Sequence, residues 1–181
     1  MTAPRIDIKD HIFLSSLALD DTPALLEHLQ VKDIYNATMN IPFPYSEADG
    51  DWWLGKQVAQ TQRQGKETTF AIRDTGKLIG VVGADNLELR KSHRAEIGYW
   101  LAKPYWGRGM MTKIVGAFIR YAFKELELER LTAHVFEFNH ASARVLEKNG
   151  FTLEGRLRKH FLKDGRAIDG RLYGLLKEEI L

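Results

Sequence analysis

The sequence predicts a mixed α/β domain with a hairpin-rich front and a β-α-β-α-β-β back. Three observations carry that prediction. Strand-like runs turn at Asp74-Thr75-Gly76 and Asp164-Gly165, which are hairpin turns, and the run over 77–89 is rich in Val and Ile. A strong apolar stripe, Met111, Ile114, Val115, Phe118, Ala122, Phe123 and Leu126, marks a long amphipathic helix between two strands. No repeat, low-complexity tract or Gly/Ser/Pro linker divides the 181 residues, so one domain over 1–181 is expected.

The elements follow in order. Residues 12–19 read as a first strand, and Asp21 is placed to cap a helix over 22–30, with Pro23 tolerated in its first turn. Ile41-Pro42-Phe43-Pro44-Tyr45 is an extended loop, because a residue before proline is driven out of the helical region. Ser46-Glu47-Ala48-Asp49 resembles a capping box and opens a helix that runs to about Gln64. Strands are expected over 68–73, 77–89 and 94–101, with a turn at 90–93. In the third of these, Glu96, Gly98 and Trp100 share one face. The long helix follows, and then a strand over 130–136. Asn139 is placed to cap a short helix over 141–149, with Gly150 as its stop. Strands over 151–162 and 168–176 close the chain as a hairpin.

Composition narrows the function. Apolar residues make up 44% and charged residues 28%, as in ordinary globular proteins. The absence of cysteine excludes disulfides, thiolate metal sites and a cysteine nucleophile. The first residues lack an apolar signal core, and no apolar run approaches a bilayer-spanning length, so a cytoplasmic location is expected, with no membrane partner. A net charge of +2 gives no ground for direct nucleic-acid binding. The basic stretches Arg90-Lys91-Ser92-His93-Arg94 and Arg156-Leu157-Arg158-Lys159 read as a solvated turn and a solvated strand face. His134 and His140 lie in different elements without metal-ligand spacing, so no metal is expected.

The informative unit is a strand, a glycine loop and a helix. The strand ends at Leu101, and Trp106-Gly107-Arg108-Gly109-Met110-Met111-Thr112 leads into the helix. Glycines let a phosphate approach the backbone closely. The first amides of a helix lack intrahelical acceptors, and the helix dipole favours an anion there. A tight strand-to-helix turn explains the glycines equally well. The loop has no Gly-Lys-Ser/Thr ending, and Thr112 stands at the third glycine position of a dinucleotide fingerprint.

Taken together, the motifs resemble those of the GCN5-related N-acetyltransferase (GNAT) superfamily, and within it the ribosomal-protein N-terminal acetyltransferase type. Ala95-Glu96-Ile97-Gly98-Tyr99-Trp100-Leu101 resembles the central strand of that family. The segment from Tyr105 to Thr112 resembles its pyrophosphate loop, with Trp106 where Gln or Arg is usual and Met111 where a small residue is common. Asn139-His140-Ala141-Ser142, followed by Leu146-Glu147-Lys148-Asn149-Gly150-Phe151, resembles its second coenzyme motif. Pro42-Phe43-Pro44-Tyr45 resembles a substrate-side loop of the subgroup. The likeness runs in family order from about residue 11 onward.

The resemblance implies a mostly antiparallel seven-stranded sheet with helices on both faces. The strand of Trp100 and Leu101 would splay from that of Val135 to admit the pantetheine arm of acetyl-CoA. The amides of Arg108, Gly109, Met110, Met111 and Thr112, with Gly107, would hold the pyrophosphate, and Asn139 would contact the coenzyme or orient substrate. Glu96 matches a position used as general base, often through water; an ion pair with a nearby Arg or Lys is its other explanation. Many members use a tyrosine as general acid, but Leu146 stands there, which leaves Ser142 as the donor to the leaving sulfur. Phe161 occupies a position where some ribosomal types carry a carboxylate. Phe43 and Tyr45, with Trp52 and Trp53, are candidates for an acceptor pocket or for core. The implied acceptor is a protein N-terminal α-amine, such as that of a ribosomal protein. The alternatives are a small-molecule amine and a coenzyme-A-binding module without catalysis. Members of this type are often homodimers.

Overall fold

The computed structural model describes residues 4–85, 87–89 and 91–180. Contacts divide the chain into two compact units, Met1–Gly83 with Tyr99–Met110, and Ala84–Gly98 with Met111–Leu181.

The first unit is built on antiparallel neighbours β1 (Ile6–Lys9), β2 (Ile12–Ser15), β3 (Thr69–Asp74) and β4 (Lys77–Asp85). The turn between β3 and β4 has both central residues left-handed, Thr75 at φ 48° and Gly76 at φ 94°. That geometry matches the twist of the strands it joins. Helices α1 (Thr22–Leu29), α2 (Lys32–Ala37) and α3 (Glu47–Gln64) lie between β2 and β3 in the chain. Ser46 caps α3 as predicted: its Oγ accepts from the Asp49 amide at 3.2 Å, and the Asp49 carboxylate accepts from the Ser46 amide at 2.9 Å. The core of this unit gathers Leu17, Leu25, Leu29, Ile34, Tyr45, Leu54, Ala71, Leu78 and Val81, with Trp53 and Trp100 packed against it.

The second unit holds the start of β5 (Arg94–Leu101), most of α4 (Met110–Lys124), β6 (Arg130–Phe136), α5 (His140–Glu147), β7 (Thr152–Lys163) and β8 (Arg166–Leu176). β5 and β6 are parallel, as a crossover through α4 requires, whereas β6–β8 and β8–β7 are antiparallel. The stripe on α4 is buried as predicted at Ile114, Val115, Phe118, Ala122 and Phe123. Two glycines of β8 make room for side chains of β7. A Cβ on Gly170 would stand 2.6 Å from the Phe161 ring, and one on Gly174 would stand 2.2 Å from the Glu154 carboxylate.

Four expectations need correction. The described residues contain eight strands rather than seven, because β1 pairs with β2 despite its charged Ile-Asp-Ile-Lys sequence. The strand predicted over 12–19 ends at Ser15 and gives way to a 3₁₀ turn at Leu19–Asp21, and the one predicted over 77–89 ends at Asp85. The predicted turn at 90–93 includes Arg90, which lies outside the described residues. Asp21 precedes α1 but makes no side-chain cap. Its carboxylate is taken by Arg73, at 2.8 and 2.9 Å, and by the Ala18 amide at 2.9 Å. A buried guanidinium is a stronger claimant than a helix amide.

Two carboxylates of the second unit are tied to arginines. Arg130 donates to Glu154 at 2.8 Å, and Arg171 grips both oxygens of Glu137 at 2.9 Å. These bonds hold both carboxyl groups below their ordinary range. A carboxyl group with a lowered folded pKa contributes stability above its unfolded value, about 4.3, and loses it as pH falls through the folded value. On acidification below about pH 5 the melting temperature is therefore expected to fall more for the wild type than for a Glu137→Gln/Glu154→Gln variant. Parallel curves would show that these pairs do not carry the acid sensitivity.

Candidate active site

Glu96 projects from β5 with its side chain 45% exposed. The parallel register of β5 and β6 pairs Arg94 with Arg130, Ala95 with Leu131 and Glu96 with Thr132. Alternation along β6 puts Thr132, His134 and Phe136 on one face. His134 Nδ1 lies 2.9 Å from Glu96 Oε1. The partner of Glu96 is thus a histidine, and not the Arg or Lys of the alternative ion-pair explanation. His134 also stacks on His160 of β7, with ring centroids 5.1 Å apart and planes at 12°. Neither histidine was singled out for function by the sequence. Strand alternation and the parallel β5–β6 pairing together are the signal that finds His134.

After Leu101 the chain makes a 3₁₀ turn at Lys103–Tyr105. Trp106 Nε1 donates to the Leu101 carbonyl at 2.7 Å, and Tyr105 Oη donates to Asp74 at 2.7 Å. The bond to Asp74 pushes the Tyr105 phenol up to about 12. Trp100 and Leu101 lie close to β4, where a Cβ on Gly80 would meet the Trp100 carbonyl at 2.5 Å. Gly107 and Gly109 are both left-handed, at φ 74° and 68°, and a Cβ on either meets nothing within 4 Å. Helix α4 starts at Met110, so Met110, Met111 and Thr112 present the amides of its first turn. Two left-handed glycines beside open space, ahead of a 15-residue helix, fit a pyrophosphate.

Asn139 caps α5: its Oδ1 accepts from the Ser142 amide at 3.1 Å, which places Ser142, partly buried, in the first turn of that helix. The end of α5 is latched to α4. Asn149 Nδ2 donates to the Thr112 carbonyl at 3.1 Å and to the Val145 carbonyl at 2.8 Å. Gly116 leaves room for this contact, since a Cβ there would stand 2.8 Å from Asn149 Oδ1. Leu146, at the position of the usual tyrosine acid, is fully buried.

In the first unit, Phe43 is 40% exposed, with its ring 5.3 Å from that of Tyr35. Tyr45 is buried in the core, where burial first and the Asp49 charge second push its phenol up to about 12. Trp53 also packs against that core, whereas Trp52 is exposed with Lys56 over its ring. Among the described residues no group of three or more His, Asp or Glu is placed to hold a metal ion.

The family model of the acetyltransferase (GNAT) domain matches residues 11–152. Over 130 residues the chain is 35% identical to the ribosomal-protein-serine acetyltransferase of Escherichia coli, covering 70% of this chain and 71% of that one. It is 39% identical over 116 residues to the uncharacterized N-acetyltransferase YoaA of Bacillus subtilis, an alignment that spans 64% of this chain and 65% of that relative. The chain therefore carries an acetyltransferase (GNAT) domain. Its structure superposes with a TM-score of 0.85, at 22% identity and 96% and 98% coverage, on RimL, a ribosomal L7/L12 alpha-N-protein acetyltransferase solved in complex with coenzyme A. It belongs to the GNAT family and has the mixed α/β fold of that family.

Proposed function

We propose that the chain acts as one N-acetyltransferase domain that moves an acetyl group from acetyl-CoA to a protein N-terminal α-amine. The observation that carries the coenzyme assignment is the pair of left-handed glycines, Gly107 and Gly109, opening onto free space at the start of α4. Acetyl-CoA supplies an activated acetyl thioester. Gly107 and the amides of Arg108 to Thr112 hold its pyrophosphate. The backbone of Trp100 and Leu101 runs along the pantetheine arm, and Asn139 holds the α5 start in position for the sulfur end. Ser142 donates a hydrogen bond to the departing sulfur, and Glu96 belongs to the group that removes the proton from the attacking amine. Phe43 offers an exposed ring to the acceptor, with Tyr45 supporting its loop from the core. A ribosomal-protein acceptor is supported by the E. coli relative, named for that activity. Such acceptors imply a cytoplasmic setting. Among the described residues, no helix is long and apolar enough to cross a membrane.

The test is an acceptor panel read by thiol release. Peptides with free Ser or Ala N-termini are compared with their N-acetylated forms, with lysine-containing blocked peptides, and with polyamines and amino acids. At pH 7.5 about a third of α-amines are neutral, against about one lysine in a thousand. Release is expected with free N-termini and not with blocked peptides. Release confined to small amines or lysine side chains would overturn the acceptor assignment. Binding of acetyl-CoA with no release to any amine would reduce the chain to a coenzyme-binding module.

A further inference from the structure

The Glu96 carboxylate meets an imidazole that is restrained twice. Glu96 Oε1 lies 2.9 Å from His134 Nδ1, and the His160 ring stacks on His134 at 12°. A carboxylate can only accept a hydrogen bond, so this contact puts the proton of neutral His134 on Nδ1 and leaves the lone pair on Nε2. Among the described residues nothing is seen to hydrogen-bond Nε2. The His134 side chain is the less exposed of the pair, 26% against 45% for Glu96.

An aromatic wall continues from the stack. Phe161 stands edge-on to His160 at 4.8 Å and to Phe136 at 4.7 Å, and Phe138 stacks on Phe136 at 5.3 Å. The glycine gap at Gly170 is what lets Phe161 reach across β8. The titratable groups facing His134 are Glu96 from β5 and His160 from β7. On β8 its register partner is the uncharged Leu172, with Gly170 and Gly174 on the same face, and its own strand adds Thr132 and Phe136.

We propose that His134 Nε2 takes the proton of the attacking amine, with Glu96 and His160 as the positioning residues that fix its ring. This assignment rests on the acetyl-transfer function above and adds a catalytic residue to it. Imidazole is the side chain that exchanges protons near neutral pH, which suits an α-amine acceptor. In the step, the amine nitrogen bonds to the thioester carbonyl carbon and the carbon–sulfur bond breaks. The nitrogen proton passes to His134 Nε2. The sulfur leaves with the bond pair as a thiolate that accepts the Ser142 hydrogen bond and takes a proton from solvent, and His134 returns its own proton to solvent.

The experiment compares wild type with His134→Ala, His134→Gln, Glu96→Gln, His160→Phe and the Glu96→Gln/His134→Ala double variant on one peptide with a free N-terminus. His134→Ala is expected to lower kcat/KM by about 10²-fold or more and to leave only the acidic limb that protonation of the acceptor amine itself sets. Its acetyl-CoA-induced rise in melting temperature is expected to stay at the wild-type value. His134→Gln, which keeps a hydrogen-bonding side chain of similar bulk, is expected to show the same change in rate and pH profile, so misfolding does not explain the loss. Added imidazole is expected to restore part of the His134→Ala rate. The double variant is expected to be no slower than His134→Ala, because the two residues act as a unit. His160→Phe keeps a stacked ring but removes the second imidazole, and is expected to lower kcat/KM by less than His134→Ala does. A His134→Ala rate within about threefold of wild type, with an unchanged pH profile, would overturn the assignment and leave Glu96 as the base. A wild type that releases no thiol with any amine would instead overturn the acetyl-transfer function, and this assignment with it.

Discussion

Replacing Asp21 with alanine is expected to destabilise the protein by about 3–5 kcal/mol, the cost of stripping one partner from a buried ion pair. For a domain of this size that corresponds to roughly 6–20 °C of melting temperature. The side chains of Arg73 and Asp21 are 12% and 9% exposed, and the guanidinium grips both carboxylate oxygens. Arg73 also reaches Ser15 Oγ at 2.7 Å and the Ser16 carbonyl at 3.1 Å. Without Asp21, those neutral acceptors alone would face a buried positive charge. The Ala18 amide would lose its acceptor as well. An Asp21→Leu/Arg73→Met double variant is expected to lose less than the sum of the two single changes, because no orphan charge remains. Thermal melts decide the matter. A single-variant loss below about 1 kcal/mol would mean that water screens this pair as it does surface pairs.

Gly109→Val is expected to abolish acetyl-CoA binding. In the wild type, coenzyme at 100 times its dissociation constant adds about 2.7 kcal/mol of stability, roughly 5–10 °C of melting shift. Gly109 sits at φ 68°. A β-branched residue there is a backbone outlier costing roughly 1–2 kcal/mol, and relief of that strain would turn the following amides away. The space that its Cβ would enter holds no protein atom within 4 Å, so the side chain would stand where a phosphate is expected. The free variant should therefore melt somewhat lower and gain nothing from the coenzyme. A full wild-type shift in Gly109→Val would remove this loop from the binding site.

Features set by short-range chemistry were legible in the sequence. Thr75-Gly76 and Asp164-Gly165 both adopt the left-handed pairs that tight hairpins need. Ser46 and Asn139 cap the helices they were expected to cap. Gly107 and Gly109 both take the left-handed conformation that glycine favours. What was missed depends on residues distant in the chain. β1 is a strand through its pairing with β2, not through its own composition. Asp21 had a local role as a cap until Arg73, 52 residues away, supplied a stronger bond. His134 looked inert because its partners, Glu96 and His160, lie on other strands. The Asn149–Thr112 latch is equally invisible without the packing of α5 on α4.

The missing side chains at Gly170 and Gly174 give β8 an unusual part in the sheet. Phe161 and Glu154, both from β7, occupy the gaps, and each touches a residue of β6: Phe161 meets Phe136, and Glu154 binds Arg130. β7 therefore makes contact two strands inward without disturbing the strand it crosses. Positions 154, 160 and 161 are tied to β6 through Arg130, His134 and Phe136. Exchanging residues on this outer hairpin is thus a way to reshape the face that carries His134 while the backbone beneath it stays in register.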